Sequence, residues 1–134
     1  DPVRQAVAAF ELGVVEHASG PQALRVRVPW LITALEDDRP AIRRFAWRSL
    51  RAIDQALTLG LAGALQAFDY TGAPADRAAA LQAITLAYAK IDKSGWPRPA
   101  APTALGADYQ LDPTVLATLR TLGARSDKQI DIGE

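Results

Sequence analysis

The amino-acid sequence predicts an all-helical domain, and three observations carry that expectation. Alanine and leucine, both strong helix formers, dominate the chain. Runs of alternating valine, isoleucine and threonine, the mark of half-buried strands, are nearly absent. Apolar residues instead recur at spacings of three and four, which places them on one side of a 3.6-residue helix. With 134 residues, 49% of them hydrophobic, the chain can bury a single core. Residues 1–124 are read as one domain of about five to seven helices, and residues 125–134 as a polar tail.

The opening "DPVRQAVAAFELGVVEHA" sets Val3, Val7, Phe10 and Val14 on one stripe, with Pro2 suited to a first helical turn. Ser19, Gly20 and Pro21 interrupt it. The second helix is expected over residues 22–36, with Leu24, Val28, Leu31, Ile32 and Leu35 inward. Pro29 lies inside that window, and proline is tolerated best in a first turn. The regular helix is therefore expected to begin near Val28, with residues 22–27 as a separate turn.

In "DDRPAIRRFAWRSLRAID", Asp37 or Asp38 can accept hydrogen bonds from unpaired amides ahead of Pro40, and a helix runs from there to about Thr58. Ile42, Ala46, Leu50, Ile53 and Leu57 form its inner stripe. Phe45 and Ser49 lie beside that stripe and broaden the expected buried arc. Arg44, Arg48 and Arg51 fall on another face, with Arg43 near its edge.

"LGLAGALQAF" reads as a small-residue helix closed by the turn "DYTGAP". The next helix, "ADRAAALQAITLAYAKID", turns Ala80, Ile84, Ala87 and Ile91 inward, joined by Leu81 and Tyr88. The proline- and glycine-rich "KSGWPRPAAPTALGADYQ" reads as an extended strap. A last helix is expected over residues 113–122.

One internal repeat stands out. "PAIRRFAWRSL" and "PADRAAALQAI" overlay without a gap at a separation of 34 residues, matching Pro40 with Pro74, Arg43 with Arg77, Ala46 with Ala80 and Leu50 with Ile84. "PVRQAVAAF" near the start echoes them less well. A period of this size in a helical chain points to stacked helix pairs.

On these residues the chain resembles the HEAT repeat family. The likeness is greatest from Val28 to Ile53, "VPWLITALEDDRPAIRRFAWRSLRAI", fair over residues 58–91 and weak at both ends. It implies a HEAT-like superhelix of antiparallel helix pairs, here with a proline-rich strap. It also implies that Asp37, Pro40, Arg43, Pro74 and Arg77 are structural repeat contacts, the aspartate and arginines bonding within or between units. Asp76 stands where Ile42 supplies an apolar anchor, and the "DYTGAP" connection is longer than "DDRP". The second unit is therefore expected to pack less tightly at that corner. Residues 92–112 do not fit the pattern, and the chain can be a piece of a longer solenoid.

The residues give little support for catalysis, and the expectation is that the chain is not an enzyme. Cysteine is absent, which excludes disulfides, thiolate metal sites and cysteine nucleophiles. The one histidine, His17, has no marked metal-binding companions and reads as structural or solvated. Glu36, Asp37 and Asp38 form a carboxylate cluster that capping and repeat contacts explain. The glycines of "LGLAGALQ" lack the strand-then-helix setting of a phosphate loop, and no serine has a recognisable histidine partner. No cofactor is expected.

Fifteen basic residues balance fifteen acidic ones, so no net field draws in nucleic acid or anionic lipid. No segment is long and apolar enough to predict membrane insertion. The chain begins at Asp1 without an initiator methionine, which reads as a mature product or a domain from something longer. A cytoplasmic setting is favoured, with a removed signal segment left open.

Recognition therefore falls to two features. Arg43, Arg44, Arg48 and Arg51, joined by Arg25 or Arg27, can pair with oxyanions, although Glu36, Asp37, Asp38 and Asp54 lie close enough in sequence to neutralise them. Trp96 lies in a segment with no helical period to bury it, and either pins the strap or meets a partner. Trp30 and Trp47 read as core or near-core. The expected role is a non-catalytic protein-binding or scaffolding domain. The alternatives are a DNA- or RNA-binding helical repeat using the arginines and an accessory domain of a larger enzyme.

Overall fold

The computed structural model describes residues 20–99, 105–118 and 120–121. The expected first helix with Val3, Val7, Phe10 and Val14, His17, and the tail 125–134 all lie outside these residues. Among the described residues every regular element is helical, apart from an isolated antiparallel bridge between Leu105 and Leu111. The helices are α1 (Pro21–Ala34), α2 (Pro40–Leu57), α3 (Ala62–Gln66) and α4 (Pro74–Ala89). Residues 113–118 are also helical. No helix among the described residues is long and apolar enough to cross a membrane.

Three of the four named helices open on proline, and the reason is local. The first amides of a helix have no intrahelical acceptor, so a residue without an N–H costs nothing there, and its fixed φ suits the first turn. Pro29 is another matter. α1 runs unbroken from Pro21 through Pro29, which corrects the expectation of a separate turn over residues 22–27. The Pro29 ring is buried, and Val28 and Leu31 beside it are almost wholly so. This packing offsets part of the cost of the missing backbone hydrogen bond. The stripe of α1 is also shifted, since Ala23 is buried while Leu24 and Ile32 are only half-buried.

The core gathers Val28, Leu31 and Leu35 from the first helix and its end, and Ala46, Leu50 and Ile53 from α2. Leu61, Leu65 and Phe68 come from around α3, and Ile84 and Tyr88 from α4. α1 packs chiefly against α2, and α3 bridges α2 and α4. α2 ends at Thr58, which takes the left-handed conformation (φ 54°) and donates its N–H to the Asp54 carbonyl at 2.7 Å. The buried Asp54 carboxylate then accepts the Leu61 N–H at 2.8 Å, fixing the chain as it enters α3. α3 spans five residues, shorter than the "LGLAGALQAF" helix expected.

The strap is fastened by Tyr109. Its ring is buried, its hydroxyl accepts from the Gln22 amide at 2.8 Å and meets the Pro97 carbonyl, and its own carbonyl accepts from the Tyr88 hydroxyl at 2.7 Å. Burial, with the Asp108 carboxylate and Tyr109 adding to it, pushes the Tyr88 phenol far above its ordinary pKa. The shift favours the protonated phenol, the form that donates to the Tyr109 carbonyl.

Candidate partner-binding face

The arginines of α2 separate into one structural residue and three surface residues. Arg43 is 5% exposed. Its Nη1 donates to the carbonyls of Asp37 (2.9 Å) and Asp38 (2.8 Å), and its Nε to the carbonyl of Tyr70 (2.9 Å). Burial and the nearby Arg77 charge pull its pKa down while Asp37 and Asp38 pull it up, and an arginine stays charged throughout. One guanidinium thus ties the α1–α2 connection to the α3–α4 connection. Arg43 is removed from the partner-binding set for that reason: its side chain is buried, and its Nε and Nη1 donate to backbone carbonyls inside the fold.

Arg77, at the matching place in α4, is half-buried and donates Nε to the Gly72 carbonyl at 3.1 Å. Pro40 and Pro74 both occupy the first helical turn ahead of these arginines. Asp37 does not meet Arg43 through its carboxylate. That group accepts the Arg39 amide at 2.8 Å and pairs with the Arg39 guanidinium at 3.0 and 2.9 Å. Burial raises the Asp37 pKa, but Arg39, with Arg43 adding its charge, outweighs this and holds the carboxyl below its ordinary value.

Arg44, Arg48 and Arg51 are exposed. Three of the four carboxylates expected to neutralise them are engaged elsewhere. Asp54, the only acidic residue in α2, is buried against Leu61, Asp37 is bound by Arg39, and Glu36 forms a two-point pair with Arg120 at 3.1 and 2.9 Å. Asp38 is exposed beyond the start of the helix. Within the carboxylate cluster of residues 36–38, Glu36 and Asp37 are accordingly engaged by different arginines. Arg25 is drawn to the strap, with its guanidinium 5.5 Å from the centre of the Trp96 ring.

Phe45 does not broaden the buried arc; it is 49% exposed. The inner side of α2 is centred on Ala46, Leu50, Ile53 and Leu57, and at 100° per residue Phe45 projects well away from that centre. Ala41, Ala52 and Ala56 are exposed on the same strip. This strip is the feature missed by reading the sequence for arginines, although the helical period alone locates it.

Trp47 closes the other edge of the face. Its indole N–H donates to the Leu65 carbonyl at 2.8 Å, its ring meets Tyr70 at 5.5 Å, and the Arg51 guanidinium lies 4.7 Å over it. The stacking restrains Arg51 and leaves its charge outward. Trp96 is half-buried, edge-on to Tyr109 at 4.8 Å between ring centres, so it pins the strap. Comparison with protein-family models, curated proteins and solved structures finds no match to this chain.

Proposed function

We propose that the chain is a non-catalytic helical-repeat domain of HEAT-like type that binds another protein through the outer face of α2. The observation that carries this reading is Phe45, about half exposed beside Arg44, Arg48 and Arg51 on a helix whose one carboxylate is buried. An accessible aromatic flanked by guanidinium groups has the composition of an interface centre. The repeat aspect is supported by two proline-opened helices that start 34 residues apart, each with an arginine reaching back to the connection before it. The crossing bond from Arg43 to Tyr70 joins the two units.

Nucleic-acid binding is the second reading, supported by the same uncompensated arginines and by an aromatic on which a base can stack. One experiment divides the two. The full chain and a variant with Arg44→Glu, Arg48→Glu and Arg51→Glu are immobilised and exposed to nuclease-treated extract of the cells that make the protein. Retention of a protein by the wild type and its loss by the variant supports the proposal. Titration with a labelled duplex and a labelled single strand at low and physiological salt is run alongside. Salt-sensitive binding abolished in the variant would shift the assignment to nucleic acid.

A further inference from the structure

The geometry points to an acidic amphipathic helix as the segment that α2 receives, an inference that rests on the protein-binding reading above. On the exposed side of α2, Arg44, Arg48, Arg51 and Gln55 form one ridge, and Ala41, Phe45, Ala52 and Ala56 form a strip beside it. Arg44 and Arg51 are seven residues apart, and so are Phe45 and Ala52. Seven residues is the interval at which a second helix laid along the first returns to the same register.

The small alanines let a second backbone come close, and Phe45 stands above them as a knob. An apolar seam on the incoming helix would cover Phe45, Ala52 and Ala56. Its carboxylates, seven residues apart, would meet Arg44 and Arg51, and Arg51 is already restrained over Trp47. No surface carboxylate within α2 competes for those arginines, because Asp54 is buried.

The same placement disfavours other occupants. Two copies meeting through α2 would set arginine against arginine. α1 contains no acidic residue, and α4, although apolar on its outer side, carries only Asp76 near its start. A nucleic acid would use the arginine ridge and Phe45 and leave Ala41, Ala52 and Ala56 uncovered.

The test uses the full chain and two labelled peptides of three heptads with leucine along the seam. One peptide carries glutamate at the flanking positions and the other lysine. Fluorescence anisotropy is expected to show binding of the glutamate peptide alone, weakening as salt is raised. Arg44→Ala with Arg51→Ala is expected to weaken it by about tenfold, and Phe45→Ala by a similar factor. Both variants alter exposed side chains, so Phe45→Ala should keep the wild-type unfolding midpoint within a few degrees. The double variant should lose no more than the Arg51–Trp47 stacking contributes, a drop of a few degrees.

Equal affinity for the two peptides, no binding of the glutamate peptide, or unchanged binding by the variants overturns the inference. If the glutamate peptide fails but a protein is still retained from nuclease-treated extract through Phe45 and the arginines, only the acidic-helix inference falls. Salt-sensitive capture of a single strand by the same arginines, with no peptide bound, removes both readings.

Discussion

Arg43 and Arg44 are neighbours in the chain with the same side chain, yet the helix turns them to opposite tasks. A buried guanidinium is tolerated only where its donors are matched, and Arg43 finds three carbonyls at 2.8–2.9 Å. Arg43→Ala removes hydrogen bonds from a charged donor and leaves carbonyls of two connections without it, so it should destabilise the fold by about 3 kcal/mol. Arg44→Ala, at an exposed position, should shift stability by no more than about 0.5 kcal/mol. Urea denaturation of the two variants measures both. A small loss for Arg43→Ala would mean that the connections hold together without the guanidinium.

Among the elements, α1 shows where helical periodicity informs and where it misleads. Its inner positions Val28, Leu31 and Leu35 were legible from spacing, as were Ile84 and Tyr88 in α4 and the proline-opened starts of α2 and α4. The passage of the helix through Pro29 was not, because local propensity opposes it and only tertiary burial of the ring favours it. The strap was equally opaque: Trp96 has no period, and its contact with Tyr109 joins residues that no local pattern relates. The arginine stripe was visible as a stripe and the repeat resemblance set Arg43 apart as a structural contact, but its bond to the Tyr70 carbonyl, 27 residues away, follows from no local pattern. Pro29→Ala tests the balance in α1. An interior proline costs about 3 kcal/mol relative to alanine, while loss of the buried ring removes about 1–2 kcal/mol. The variant should therefore be more stable by about 1 kcal/mol, seen as a raised midpoint in thermal unfolding. A lowered midpoint would show that ring packing outweighs the restored backbone bond.

At the scale of the molecule, charge is balanced in number, at fifteen of each sign, without being balanced in place. By serving as the buried acceptor for Leu61, Asp54 withdraws a negative charge from the outside of α2, leaving Arg44, Arg48 and Arg51 uncovered along it. A resin samples the face it touches and not the sum over the chain, so the protein should behave on a column as a base does. At neutral pH and low ionic strength it should be held by a cation exchanger despite its sequence pI of about 6.8, and the arginine-to-glutamate variant should pass straight through. Molecules adsorbed in this way would share one orientation, with α2 against the bead and the rest of the domain turned to the solvent.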